Sequence, residues 1–248
     1  MSLRRRIKKL LERFTNTHIF RGVLPRGLDV AYDIKIFFPM YIASAVFDVG
    51  ANIGQSAERY LNDFPRSQIY CFEPVSDTFR ELRENLIDND RVHCFQLALG
   101  SSNGKGEMVK EGRSSQFFMV NRAEDPPLHK DLTTEEVETI TLEEFCRARS
   151  IENISYLKID TEGWDLEVLL GGENMLKEQR IDFVQVESGM NPENKRHIPF
   201  ETLKDYMESR RYFLFGIYGQ VHEWPTNKAN LRRSDLVFVS QNSVEKNI

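Results

Sequence analysis

One short stretch, VFDVGANIG from Val46 to Gly54, constrains this 248-residue chain more than any other. Ala45, Val46, Phe47 and Val49 form an apolar run broken only by Asp48. The run stops at a Gly-rich turn, as expected of a buried parallel strand that feeds a helix. Gly50 supplies a positive φ and a close backbone approach, and Gly54 lets the helix from Gln55 to about Leu61 pack tightly. In outline this is a nucleotide-type site at a strand end.

Two residues choose among nucleotide-like ligands. Dinucleotide binders carry GxGxxG here so that a pyrophosphate can rest on the helix N-terminus, but Asn52 stands where the second Gly belongs. Asp48 would repel phosphates as well. S-adenosylmethionine has no phosphate and carries a cationic sulfonium, so an acid beside a Gly turn suits it. About twenty residues on, Glu73 closes a second apolar strand, Gln68 to Phe72, where its carboxylate can accept hydrogen bonds from both ribose hydroxyls.

Composition narrows the setting. A net charge of -5 argues against a general nucleic-acid binder. The three cysteines have no close spacing, so neither a disulfide framework nor a zinc site is indicated. No apolar stretch approaches the roughly 20 residues of a membrane span, and no signal-peptide core stands at the N-terminus, so the expected compartment is the cytosol. Leu3, Ile7, Leu10, Leu11 and Phe14 share one helical face among Arg and Lys residues. That basic amphipathic helix would pack on its own domain or a twin subunit, with peripheral contact at the inner membrane surface as the rival. Residues 1–41 are read as this helix plus a segment, Asp29 to Tyr41, that lids or flanks the pocket, and 42–248 as the catalytic domain.

Further along, Ser76 to Ile87 has helical spacing and Val92 to Leu97 reads as a third strand whose end, with Ala98, should pass an adenine. Gly100 to Gly112 suggests a hairpin or an excursion beyond the sheet, with Ser114 and Ser115 near a ligand edge. Asn121 to Thr134 reads as a mobile loop. Thr141 and Glu144 have capping-box spacing. Ile154 to Asp160 is the fourth strand, ending in the acidic cluster Asp160, Glu162 and Asp165, and a helix follows that ends at Gly171 and Gly172. Phe183 to Val186 forms the fifth strand, closed by Glu187. A helix around Phe200 to Met207, a strand from Tyr212 to Tyr218 and a last strand from Asp235 to Val239 complete the chain. His222, Trp224 and Pro225 lie in a loop suited to a carbohydrate.

VFDVGANIG, the EP of Glu73 and Pro74, the ALG of Ala98 to Gly100, and KIDTEGWDLEVLLGG from Lys158 to Gly172 together resemble the FkbM family of S-adenosylmethionine-dependent methyltransferases. The resemblance spans about residues 46 to 187. It implies a doubly wound α/β fold, a seven-strand Rossmann-like sheet that is mostly parallel with an antiparallel last strand. It also implies an O-methyltransferase acting on hydroxyls of sugars or polyketide-like products. Matched residue by residue, Asp48, Gly50, Asn52 and Gly54 fall on the cofactor turn, Glu73 on the ribose acid, and Asp160, Glu162 and Gly163 on the second signature. Trp164 departs from the smaller residue more usual there.

Methyl transfer to a hydroxyl is an in-line displacement that needs alignment and a base. Strand-end acids face the ligand crevice of such sheets, so Asp160, Glu187 and Glu162 are the candidate bases, with His222 as the alternative. Asp48, Gly50, Asn52, Gly54, Glu73, Ala98, Ser115 and Asp160 are the candidate cofactor residues. No metal ligands are assigned, although a divalent cation held by the carboxylates and a substrate diol fits the preference of hard cations for oxygen. The expected partner is a small molecule or glycan, no nucleic acid is expected, and a homo-oligomer is allowed. Competing readings are an NAD-dependent oxidoreductase, a non-catalytic carbohydrate or lipid-surface module on the same fold, and an RNA methyltransferase.

Overall fold

The structure, a computed structural model, describes residues 7, 20, 23–111, 114–118, 134–224 and 228–246. Most of the N-terminal basic helix, the expected mobile loop up to Thr133, and Pro225 lie outside the described residues. The elements run α1 (Val30–Phe37), β1 (Ala45–Val49), α2 (Gln55–Asp63), β2 (Gln68–Phe72), α3 (Ser76–Leu86), β3 (Val92–Phe95), β4 (Ala98–Leu99), β5 (Gly104–Glu111) and β6 (Ser114–Phe118). They continue as β7 (Thr134–Ile140), α4 (Leu142–Ala148), β8 (Ile154–Ile159), α5 (Asp165–Leu170), α6 (Glu173–Lys177), β9 (Ile181–Gly189), α7 (Phe200–Glu208), β10 (Tyr212–His222), β11 (Leu231–Ser240) and α8 (Gln241–Lys246).

Seven strands form the main sheet in the order β10-β11-β9-β8-β1-β2-β3. Every pairing from β9 to β3 is parallel, and β11 runs antiparallel to both β9 and β10. The expected sheet is therefore the observed one, with the last strand inserted beside the fifth. β1 is buried along its whole length because both faces are covered. Phe47 and Val49 join one cluster with Phe72, Phe145 and Leu169, and Val46 joins the other with Ala57, Tyr60 and Leu82. Strand alternation then carries Asp48 onto the second face, away from Phe47.

Beyond the edge at β3 the chain builds a second sheet, β4-β7-β5-β6. The hairpin read from Gly100 to Gly112 is the β5-β6 pair of that sheet, antiparallel from Glu107 opposite Phe118 to Glu111 opposite Ser114. Ser115 pairs with Lys110 on β6, and its side chain falls outside the described set.

Local expectations hold in part. The third strand stops at Phe95, and Ala98 and Leu99 turn away to pair with Thr139 and Ile140. The helix after β8 does end at Gly171, which caps it in right-handed geometry at φ -68°, and α6 starts directly after Gly172. The segment from Asp29 to Tyr41 packs on the sheet face that carries Asp48. There Phe38 meets Phe183 at 5.2 Å between centroids and the Tyr41 hydroxyl donates to the Ser155 carbonyl. Thr141 does cap α4, accepting from Glu144 N at 3.1 Å, while the Glu144 carboxylate pairs with Arg147 instead of closing the box. Among the described residues no helix is long and apolar enough to cross a membrane.

Phe145 binds the α4 layer to the sheet, its ring centroid 4.7 Å from Phe72 and 4.9 Å from Phe95. Phe145→Ala is expected to cost about 3–5 kcal/mol through lost burial and a residual cavity, read as a lowered midpoint in urea with an unchanged slope.

Candidate active site

The turn after β1 is stitched to the end of β2. Gly50 N and Ala51 N both donate to the Phe72 carbonyl at 3.0 Å, and Asn52 N donates to Glu73 Oε2 at 3.1 Å. The other Glu73 oxygen accepts from Val75 N at 3.0 Å. Gly50 has φ +77°, and a Cβ built on it would stand 2.0 Å from the Asp160 carbonyl oxygen. Only glycine lets the first turn lie against the end of β8. Asn52 and Glu162 also hold positive φ, at 51° and 56°. Asn tolerates that region; for Glu it stores strain of about 1 kcal/mol or more, as occurs where a site dictates backbone shape.

A cavity of about 980 Å³, counted to its open mouth, lies outside the carboxyl ends of β1, β2 and β8. This is the point where strand order reverses, the place ligands occupy in open α/β sheets. Gly50, Asn52, Glu73, Ala98, Asp160 and Glu162 line it, together with Phe72, Leu97, Leu99, Met108 and Trp164. Trp164 thus narrows the pocket wall. Gly54 lies behind the cavity, against Leu82 and Leu86.

Asp48 is the residue whose position sequence reading misjudged. It is fully buried on the far face of β1 and does not line the cavity. Lys158 Nζ stands 3.0 Å from Asp48 Oδ1 and 3.3 Å from Asp160 Oδ2. Burial pushes the Asp48 carboxyl up, and the Lys158 charge opposes that push. Burial pulls Lys158 down, but the charges of Asp48 and Asp160 outweigh it and hold the ammonium well above its usual range. The acid that looked like a cofactor ligand is the anchor of a buried lysine.

The loop after β8 is organised by Asp165, which is fully buried and accepts Thr161 N at 3.2 Å and Gly163 N at 3.0 Å. Gly163, at φ +107°, would place a Cβ 2.2 Å from the Arg196 carbonyl oxygen, so this loop is seated on the segment after β9. That contact assembles a group absent from the sequence reading. Glu162 Oε2 lies 2.7 Å from Arg196 Nε and 3.6 Å from His197 Nε2, while Glu187 pairs with His197 Nε2 at 2.6 Å and with Arg233. Glu187 is only 3% exposed. His222 closes β10 as an exposed residue outside the cavity lining. Arg196, His197 and Arg233 could have been nominated only from their polarity, because no local motif ties them to β8.

A model of the FkbM methyltransferase domain matches residues 48–214. The chain belongs to the FkbM methyltransferase family. It is 26% identical over 176 residues to the 2-O-methyltransferase NoeI of Sinorhizobium fredii, covering 66% of this chain and 71% of NoeI. Against the hexuronic acid methyltransferase AglP of Haloferax volcanii it is 28% identical over 149 residues, covering 60% of this chain and 58% of AglP. The solved structure of TrmK from M. capricolum with S-adenosyl-homocysteine aligns with a TM-score of 0.46 at 12% identity, covering 86% of this chain and 69% of that chain. This FkbM protein is an enzyme, a methyltransferase. The cavity lining fits S-adenosylmethionine: apolar walls from Phe72, Leu97, Ala98 and Trp164 for a base and a thioether chain, with carboxylates at Glu73 and Asp160 for hydroxyls and an ammonium.

Two predictions follow from the charges. Lys158→Met removes the cation paired with buried Asp48 and is expected to cost about 3–5 kcal/mol in chemical denaturation, with Asp48→Asn in the same chain recovering much of the loss. The second concerns pH. Burial pushes Glu73 up to about 7 and Asp165 up to about 6, and burial with the Asp160 charge pushes Asp235 up to about 6. Each folded value exceeds the unfolded one, so between about pH 4 and 7 the folded chain binds more protons and stability falls as pH rises. The cofactor-free protein should melt higher at pH 5.5 than at pH 8; a melting temperature that climbs across that interval would contradict these assignments.

Proposed function

We propose that this FkbM protein transfers a methyl group to a hydroxyl of a sugar, in a glycan, a glycolipid or a glycosylated natural product. The observation that carries the proposal is the placement of Asp160. Its side chain, 42% exposed, opens into the cavity from the end of β8 while Lys158 grips one of its oxygens. Asp160 is the nominated acid that combines access to the cavity with a fixed orientation. Glu187 is buried and engaged by His197 and Arg233, and Glu162 is engaged by Arg196.

In this reading Glu73 takes the ribose hydroxyls, and the Gly50 to Asn52 turn forms the floor under the amino acid end. Ala98 and Leu97 flank the adenine. S-adenosylmethionine supplies, when bound, an electrophilic methyl carbon. Asp160 accepts the proton of the acceptor hydroxyl, a step that contributes about 10² to 10⁴ in rate when the base is positioned. Lys158 keeps that carboxylate from swinging away. The name of the relative NoeI, a 2-O-methyltransferase, supports transfer to oxygen, and that of AglP, a hexuronic acid methyltransferase, supports a saccharide acceptor. So does Trp224, 68% exposed at the same end of the sheet with Arg232 5.8 Å from its ring, as an aromatic face for a sugar ring.

Mass spectrometry of polysaccharide, glycolipid and small-glycan extracts from cells with and without the protein tests this directly, since the loss of one methyl from a sugar names the acceptor. Unchanged extracts would overturn it. With the acceptor in hand, Asp160→Asn should lower kcat by about 10² to 10⁴ at saturating cofactor. Glu73→Ala should act through cofactor KM, raising it about tenfold or more because hydrogen bonds to a charged group are lost.

A further inference from the structure

We infer that Glu162, His197 and Glu187 form a binding site for one divalent transition-metal ion of the Mn²⁺ type, beside the cofactor cavity. One carboxylate oxygen from each glutamate and the imidazole Nε2 lie within 4.8 Å of one another. Three elements supply them: the loop after β8, the end of β9 and the segment before α7.

His197 is what makes this more than an acidic cluster. The ring is 6% exposed, and its Nε2 makes no hydrogen bond although Glu187 Oε2 is only 2.6 Å away. A proton on Nε2 does not point at that oxygen, and Glu162 Oε2, at 3.6 Å, is beyond hydrogen-bond range. At the other side of the ring, Nδ1 lies 3.1 Å from Asn194 Oδ1 and 2.9 Å from Asn194 Nδ2, so the tautomer decides which of the two it meets. Asn194 is itself fixed, since its Oδ1 accepts Arg196 N and its Nδ2 donates to the Arg232 carbonyl. In the tautomer of this inference Nδ1–H is given to Asn194 Oδ1, while Nδ2 is kept by the Arg232 carbonyl, and the Nε2 lone pair then faces two carboxylates. Three lone pairs converging without a proton between them is an arrangement that a cation resolves. An imidazole held from behind by a side-chain carbonyl is also how metal-bound histidines are oriented.

The two guanidiniums need not leave. Arg233 pairs with Glu187 Oε1 and leaves Oε2 to the ion. Arg196 Nε holds Glu162 Oε2, and the partly exposed Glu162 carboxylate can turn its other oxygen inward. Both arginines then occupy the outer positions that hydrogen-bond ligating carboxylates. Bonds of about 2.1 Å place neighbouring ligand atoms roughly 3 Å apart, so Glu162, 3.6 Å from Nε2, moves in while Glu187, at 2.6 Å, gives way slightly. One nitrogen among oxygens favours Mn²⁺ or a similar ion over Mg²⁺ or Ca²⁺. Two guanidiniums offset the two carboxylates, so an ion here keeps its positive charge toward the acceptor. On the sugar reading above, that suits a hydroxyl with an adjacent oxygen, as in a vicinal diol or a hydroxyl next to a carboxylate.

The test uses the full chain stripped with chelator and titrated with Mn²⁺, following the free-ion electron paramagnetic resonance signal. One ion per chain is expected. Affinity should fall at least tenfold in Glu162→Gln and in His197→Gln and stay unchanged in His93→Gln, which lies at the far edge of the sheet. Cooperative thermal unfolding verifies each variant, and Glu162→Gln carries the test if the buried histidine cannot be replaced. Absence of stoichiometric binding at millimolar Mn²⁺, or undiminished binding in folded Glu162→Gln, overturns the inference. Because the readout is ion binding, the site stands or falls separately from sugar methylation: unchanged glycan extracts would leave it intact, and methyl transfer that persists in chelator without Mn²⁺ binding would remove it alone.

Discussion

A single buried ammonium holds the centre of this molecule together. Lys158 reaches from β8 to Asp48 on β1 and to Asp160 at its own strand end, and its Nζ also donates to the Gly50 carbonyl at 3.4 Å. Every group it touches belongs to one of the two signature stretches. Burying a lysine is costly unless it is paired, and pairing it twice fixes both the strand register and the direction of the Asp160 carboxylate. The turn after β1 and the acid at the end of β8 are thereby parts of one electrostatic unit.

Around that unit the sheet divides the labour between its faces. Phe47, Phe72 and Phe145 make one side purely apolar, while the other side carries Asp48, Lys158, Tyr60 and Asp235 close to the same strand ends. The apolar side supplies stability and the polar side sets charge. A second sheet beyond β3 adds Met108 to the cavity wall, so the chain that leaves the main sheet after Phe95 returns to the site from outside.

Much of this was legible in the residues. Short apolar runs that stop at a turn or an acid mark β1 and β2 at their observed bounds and β8 to within one residue, because buried parallel strands leave few other patterns. The role of Asp48 was misjudged by treating the strand end as a ligand edge; alternation from Phe47 already turned it to the opposite face. The short β4 and the departure from the sheet at Ala98 depend on pairing with β7, some forty residues downstream, which no local pattern announces. The cluster of Glu162, His197, Glu187 and Arg233 is harder still. Its members come from four separate segments, brought together by the pairing of β9 with β11 and by the seating of Gly163 on the Arg196 carbonyl. Long-range backbone contact, not side-chain spacing, is its cause.

The contact of Gly50 with the Asp160 carbonyl has a bearing on how such enzymes diversify. Two backbones touching without an intervening side chain leave no slack, so the span between the turn after β1 and Asp160 is set before any ligand arrives. Variation in what is methylated must therefore enter from the periphery, through β5, β6 and the region around Trp224, where strands and loops can lengthen without disturbing that span. A rigid floor with replaceable walls lets one reaction geometry serve many acceptors.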